Sequence, residues 1–206
     1  MGPRYIVIEH AESELTPWLL LEYMNCVRIV GRERLIISNV SDRHARVISK
    51  IATTLRESVV DLARRGVLAE ERLVVLDPLA EKRLEPNELL NAEAVVIGGI
   101  LGSDPPRGRT RKFITSRLPK AIARNIGEGQ MSIDGATYVV WHLLNHGSYE
   151  GLQFVDGVVI AEGPLSVRLP YRYPVVNGAP LVAPGLREYL LRGALPLELR
   201  RLLGMD

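Results

Sequence analysis

The chain has 206 residues, of which 47% are hydrophobic, and its formal net charge is +2. No stretch of about 18 apolar residues occurs, so we expect no membrane-spanning helix. The one cysteine, Cys26, excludes an internal disulfide and favours a cytoplasmic protein. The net charge does not indicate nucleic acid by itself, but residues 105–127 carry seven basic side chains and no acidic one. That segment is either a patch that faces an anion or a solvated helix face.

The first part of the chain predicts strands that alternate with helices. A short run of apolar, β-branched residues predicts a strand at 4–8. The Thr-Pro pair at 16–17 suits the start of a helix, which we expect to end at Gly31. A second strand follows at 34–39. Apolar residues at helical spacing then predict one long helix over 41–66.

Three more apolar runs predict strands at 72–78, 92–99 and 120–127, and a helix follows at 132–147. Continuous apolar strands that alternate with helices are typical of a parallel sheet with helices on both faces. The fold class expected is therefore α/β.

After Gly147 the pattern changes to antiparallel hairpins. The first is expected to turn at Asp156-Gly157 and the second at Asn177-Gly178, and short helices follow. We therefore predict an α/β core over residues 1–146 and a smaller C-terminal lobe of hairpins and short helices over 147–206.

Three loops leave predicted strands at 76–86, 98–110 and 126–134, and ligands bind beyond the carboxyl ends of strands in open α/β sheets. Their glycines allow a ligand to lie against the main chain, and their prolines fix the loop shape. Such loops could hold a flat, mostly neutral group such as adenine. The sequence contains neither a P-loop nor the glycine motif of dinucleotide-binding folds after its first strand.

His142 and His146 stand four residues apart on a predicted helix and could share a metal, but the segment "HLLNH" lacks the glutamate of the zinc-protease motif. We expect a packed or surface helix instead, and no metal. Four acidic residues stand out because they lie outside the charge-rich helices: Glu9 at the end of the first strand, Glu22 in the helix that follows, Asp104 in the glycine loop and Asp134 at the start of a helix.

Six segments occur in order between about residue 5 and residue 185: "IEH", "PWLLLEY", "LDP", "GGILGSDPPRGRT", "GQMSIDGA" and "LPYRYP". In this combination the chain resembles the SPOUT-class protein arginine methyltransferases. The resemblance implies a SPOUT-like parallel sheet with a deep trefoil knot, which the sequence pattern alone could not predict. It also implies that the three loops hold S-adenosylmethionine in a bent shape and that the protein is a monomer rather than a dimer.

The resemblance places the methyl donor against residues of the three loops. The expected donor-binding residues are Leu76, Asp77, Pro78, Gly98, Gly99, Ile100, Leu101, Gly102, Arg107, Arg109, Thr110, Ile126, Gly127, Gln130, Met131 and Asp134. Of these, Arg107 and Arg109 suit the carboxylate of the donor, because a guanidinium binds a carboxylate with two parallel hydrogen bonds.

An arginine substrate requires a carboxylate, because a guanidinium with a pKa above about 12 is a poor nucleophile until it loses a proton. Glu9 ends an apolar strand, so we expect it to orient the target guanidinium, with Glu22 and Asp104 as helpers. Stacking walls are expected from three aromatic residues, for which core packing is the alternative: Trp18, Tyr23 and Tyr171.

The implied substrate is an arginine of a small-subunit ribosomal protein, as for the fungal member of the family. Two alternatives stay open. The first is a SPOUT RNA methyltransferase, in which the basic segment 105–127 binds phosphates. The second is a module that binds the donor or RNA without catalysis.

Overall fold

The computed structural model describes residues 2–102 and 107–205. Its main sheet has six parallel strands in the order β3-β2-β1-β5-β4-β6. In chain order they are β1 Tyr5–His10, β2 Leu35–Ser38, β3 Thr53–Thr54, β4 Leu73–Leu76, β5 Ala94–Gly99 and β6 Ile122–Arg124. The predicted parallel α/β sheet is thereby confirmed.

Helices cover both faces of this sheet. They are α1 Pro17–Val30, α2 Asp42–Ile48, α3 Val59–Arg64, α4 Pro86–Asn91, α5 Arg109–Phe113, α6 Ile133–His146, α7 Leu186–Arg192 and α8 Leu197–Leu203. Ile6 and Ile8 of β1 pack with α1 and α6, whereas Val7 packs on the opposite face with α3. Successive side chains of a strand point to opposite faces, so a strand that is apolar throughout needs a cover on each.

The two long helices begin and end where the sequence indicates. Thr16 accepts a hydrogen bond from the Leu19 amide at 3.2 Å, and Gly31 ends α1 with a positive φ of 85°. Ser132 caps α6 by accepting from the Gly135 amide, and Gly147 ends it.

The prediction of one long helix over residues 41–66 is wrong. The chain instead forms α2, the short strand β3 and α3. Thr53 and Thr54 pair with β2 at the edge of the sheet, and Ser58 starts a new helix by accepting from the Val60 amide. Two β-branched residues at a sheet edge outweigh the helical spacing of the apolar side chains around them.

The first hairpin was also misplaced by the sequence pattern. Strand β7 runs without a turn from Gln153 to Glu162, and β8 runs from Leu165 to Val176. The register shifts between Asp156 and Val158, so the Asp-Gly pair forms a β-bulge and the turn lies at residues 163–164.

The second hairpin turns where predicted, between β8 and β9 Ala179–Pro180. Asn177 and Gly178 both have positive φ, 52° and 78°, as a tight two-residue turn of this kind requires.

The C-terminal residues pack on the first helix. Leu186 of α7 and Leu199 of α8 are buried in the same apolar cluster as α1 and α6. The division into a core over 1–146 and a lobe over 147–206 stays a prediction. Within the described ranges, every helix is too short or too polar to cross a membrane.

Candidate active site: a loop-lined cleft beside two buried carboxyl groups

A cleft lies at the carboxyl ends of β4, β5 and β6, with about 850 Å³ of empty space including its open mouth. All three loops predicted from the sequence contribute to it. Thirteen of the sixteen expected donor-binding residues line it: Leu76, Asp77, Pro78, Gly98, Ile100, Gly102, Arg107, Arg109, Thr110, Ile126, Gly127, Gln130 and Met131. The carboxyl ends of parallel strands meet at one edge of a sheet, which is why loops far apart in the sequence converge here.

Two of the remaining three residues help to build the cleft from behind. A Cβ on Gly99 would lie 2.7 Å from the Tyr23 hydroxyl and 2.9 Å from the Glu9 carbonyl oxygen, so Gly99 allows helix and strand to approach each other. The Leu101 amide donates a hydrogen bond to Glu12 at 2.9 Å, and this contact fixes the loop after β5. The third residue, Asp134, lies in the buried carboxyl site described below.

Gly102 is the point where the loops meet. A Cβ there would lie 1.5 Å from Nε2 of Gln130 and 2.7 Å from the Tyr171 ring. The Tyr171 hydroxyl donates to the Gly102 carbonyl at 2.7 Å, so β8 holds the loop in place. Nε2 of Gln130 is buried and has no hydrogen-bond partner among the described residues. The loops after β5 and β6 therefore pack against each other at Gly102, and the amide of Gln130 is a donor without a protein partner in the described residues.

Two arginines of α5, Arg109 in the cleft wall and Arg111, have protein partners. Arg109 forms an ion pair with Glu12 at 2.7 Å, and Arg111 donates to Asp77 at 3.0 Å. Arg107 is exposed at the rim. Sequence analysis missed Glu12, which follows β1 by two residues and fixes both Arg109 and the Leu101 amide. Arg109 is thus held in one orientation toward the cleft.

Two carboxyl groups are buried beside the cleft, at the N-terminus of α6. Glu22 accepts hydrogen bonds from Trp18 Nε1 at 2.7 Å and from the Ile133 amide at 2.9 Å. Asp134 accepts from Asn25 Nδ2 at 2.8 Å. Because Ile133 also lines the cleft, the carboxyl pair lies directly behind its wall.

Burial changes the protonation of this pair. Burial, together with the negative charge of Asp134, raises the pKa of Glu22 to about 8. Burial also raises the pKa of Asp134. Among the described residues, no basic side chain forms an ion pair with either of them. At neutral pH the site therefore holds a proton, which a cation with N–H donors would displace.

Aromatic rings surround the carboxyl pair. The rings of Trp18 and Tyr171 meet edge to face with centroids 6.4 Å apart, and Tyr173 lies 6.4 Å from Tyr171. Two of the three predicted wall residues are therefore brought together with Glu22. Tyr23 is not among them, because it is fully buried and its hydroxyl is hydrogen-bonded to His10.

Glu9 lies apart from these residues. Its carboxylate accepts hydrogen bonds from Ser38 Oγ and Ser58 Oγ, each at 2.5 Å, and from the Val59 amide at 2.9 Å. Three donors from β2 and the start of α3 occupy it, and it does not line the cleft. The geometry suits a residue that joins a helix to the sheet, and it does not support the prediction that Glu9 orients the substrate.

The remaining predicted residues do not contribute to the cleft or the carboxyl pair in the described part of the chain. Asp104 lies outside the described residues. The rings of His142 and His146 are tilted by 37° with centroids 4.3 Å apart, and His142 Nε2 donates to the Glu150 carbonyl. Among residues 2–102 and 107–205, no group of three or more His, Cys, Asp or Glu side chains could hold a metal ion.

Residues 5–195 match the family model described as protein arginine N-methyltransferase SFM1-like. The chain is 28% identical over 200 residues to protein arginine N-methyltransferase SFM1 of Saccharomyces cerevisiae, covering 89% of this chain and 92% of the yeast protein. The structure of yeast arginine methyltransferase SFM1 complexed with SAH has a TM-score of 0.80 at 26% identity, over 91% of this chain and 94% of that one. Dual-specific Trm10 from Thermococcus kodakaraensis shares the fold alone, with a TM-score of 0.57 at 16% identity over 71% and 94% of the two chains.

Proposed function

Because the chain belongs to the SFM1-like family of protein arginine N-methyltransferases, we propose that it transfers a methyl group from S-adenosylmethionine to an arginine side chain of a protein. The observation that carries the arginine assignment is the pair Glu22 and Asp134, which are 2% and 1% exposed. Two buried carboxyl groups without a basic partner in the described residues are costly unless a cation binds between them. A guanidinium is such a cation.

The cleft fits the methyl donor. A similar yeast enzyme is complexed with SAH, which is S-adenosylmethionine without its methyl group. In this chain Gly98 and Gly102 line the cleft, and the absence of a side chain lets Thr110 and Gln130 pack close to the loop after β5. The amide nitrogen of Gln130 has no partner among the described residues and can donate to an oxygen of the ligand. When bound, S-adenosylmethionine supplies an electrophilic methyl group.

The residues behind the cleft prepare the arginine. Glu22 and Asp134 accept N–H bonds from the guanidinium, while Trp18 and Tyr171 enclose its plane. Once the guanidinium has displaced its proton, Glu22 is a carboxylate and can take the proton that the reacting nitrogen loses. The buried negative charge also raises the electron density on that nitrogen.

Four further properties of the protein are proposed from the family resemblance. They are a deep trefoil knot through the donor loops, a monomeric state, a cytoplasmic location and a ribosomal protein of the small subunit as substrate. For RNA as substrate, the supporting observation is the basic segment around Arg107 at the rim of the cleft.

The proposal is tested with S-adenosylmethionine labelled in its methyl group, incubated with the enzyme and a cell extract. The product is then treated with protease or RNase, and the protein fraction is hydrolysed to amino acids. We expect label that protease removes and RNase does not, and methylarginine in the hydrolysate. Label that only RNase removes would favour the RNA alternative, and label absent from both fractions would favour a binding module. EDTA should leave the rate unchanged, because the proposed residues need no metal.

A further inference from the structure

Tyr173 carries a polar group that the folded chain does not use. Its side chain is 1% exposed, and its hydroxyl has no hydrogen-bond partner among the described residues. Buried hydroxyl groups are nearly always paired, since an unpaired one loses its water without compensation. An exception inside a well-packed region calls for a ligand or a functional reason.

The position of this hydroxyl indicates which ligand. Tyr171 and Tyr173 are two residues apart on β8, so both side chains point to the same buried face. Glu22 and Asp134 are near enough that their charges, together with burial, raise the pKa of Tyr173. The phenol is therefore a neutral hydroxyl throughout the neutral range, beside the two carboxyl groups to which we assign the target arginine.

We propose that Tyr173 binds the target guanidinium directly. Its oxygen accepts a hydrogen bond from a guanidinium N–H group that is not bound by Glu22 or Asp134, and this third contact favours arginine over lysine. This inference rests on the proposed function. A guanidinium directs five N–H groups outward in one plane, and three separate acceptors can bind it together. A lysine ammonium has three N–H groups at a single point and matches that arrangement poorly.

The variant Tyr173→Phe removes one oxygen and keeps the ring. Because the hydroxyl is unpaired in the folded chain, we expect an unchanged or higher Tm. The affinity for SAH, measured by calorimetry, should stay the same, since Tyr173 does not line the donor cleft. The initial rate of methylarginine formation at limiting extract should fall about tenfold, the scale of one lost hydrogen bond to a charged group. The extract concentration that gives half the maximal rate should rise in parallel.

Tyr149→Phe is the matched control. The Tyr149 hydroxyl donates to the Leu84 carbonyl at 2.9 Å, so its loss removes a satisfied bond outside the cleft. We expect the opposite result, a lower Tm and an unchanged rate per folded molecule. If Tyr173→Phe behaves like Tyr149→Phe, or keeps the parental rate, Tyr173 does not bind the substrate. A parent protein that forms no methylarginine would instead overturn the proposed function, and this inference with it.

Discussion

The carboxyl end of β1 and the start of α6 each bury acidic or titratable side chains, but they differ in how these are paired. At the end of β1, Glu9 accepts from three donors, and His10 is bound through both ring nitrogens. At the start of α6, Glu22 and Asp134 also accept hydrogen bonds, but the hydroxyl of Tyr173 near them is unpaired among the described residues. Burial alone therefore does not distinguish a structural acid from a functional one.

What distinguishes the two regions is an unpaired group: the hydroxyl of Tyr173, near Glu22 and Asp134, has no hydrogen-bond partner among the described residues. A polar cluster whose members satisfy one another is complete in the folded chain and rigidifies it. A cluster with unpaired groups keeps free hydrogen-bond donors or acceptors, which can be satisfied when a ligand binds. The two regions should therefore respond differently to the same chemical change, the replacement of a carboxylate by an amide.

The largest effect is expected for Glu22→Gln. The amide keeps the shape but cannot take a proton, so turnover should fall about 10²-fold or more, the scale of a lost general base. SAH affinity should change little, since Glu22 does not line the donor cleft. Rates are measured with labelled S-adenosylmethionine and extract, and affinities by calorimetry. A variant as active as the parent would remove Glu22 from the mechanism.

A second contrast separates two glycines. Gly102→Val places a side chain where Gln130 and Tyr171 already lie, so we expect SAH to bind about tenfold more weakly or worse. Gly99→Ala should instead lower the Tm, because its Cβ meets the backbone oxygen of Glu9 at 2.9 Å. Calorimetry and thermal unfolding are applied to both variants. Unchanged SAH affinity in Gly102→Val would show that the donor does not use this loop.

Glu9→Gln should act on stability. The amide nitrogen replaces one of the two accepting oxygens, so either Ser58 or both Ser38 and the Val59 amide lose their acceptor. The free energy of unfolding should therefore fall by about 1–3 kcal/mol. The rate per folded molecule should stay near that of the parent. Denaturant unfolding and activity are measured on the same preparation. A large loss of rate at parental stability would restore the catalytic role that the sequence suggested for Glu9.

The smallest effects are the slopes of stability against pH. Burial raises the pKa of Glu22 from 4.5 to about 8, so the native state holds an extra proton between these values and stability falls as pH rises through them. Burial lowers the pKa of His10 from 6.5 to about 4, so stability is lost as pH falls from 6.5 to 4. Unfolding curves of Glu22→Gln should lose the first slope, and those of His10→Gln the second. Parental slopes in both variants would contradict these assignments.

Local signals in the sequence were enough for much of the fold. The apolar strands, the caps of α1 and α6 and the turn at Asn177-Gly178 all depend on residues close in the chain. The break at β3 depends on pairing with β2, which is a non-local contact, so the helical spacing over residues 41–66 was misleading. The bulge at Gly157 likewise depends on the register with β8.

The site was predictable where it follows from topology. Loops after parallel strands converge, so most donor-cleft residues could be anticipated. The partners of Glu9 come from β2 and α3, and no local pattern shows that they saturate it. Tyr173 and Asn25 were missed, although Tyr173 alternates with Tyr171 and Asn25 lies one helical turn after Glu22. These spacings place each pair on one face and could have indicated the pocket.

The most direct test of the account is a crystal structure of the protein with SAH and the tripeptide Gly-Arg-Gly. We expect SAH in the cleft around Gly102, and the guanidinium within hydrogen-bond distance of the Glu22 and Asp134 carboxylates, enclosed by Trp18 and Tyr171. A guanidinium bound at Glu9, or elsewhere on the protein while SAH fills the cleft, would contradict the assignment of the buried carboxyl pair to the substrate.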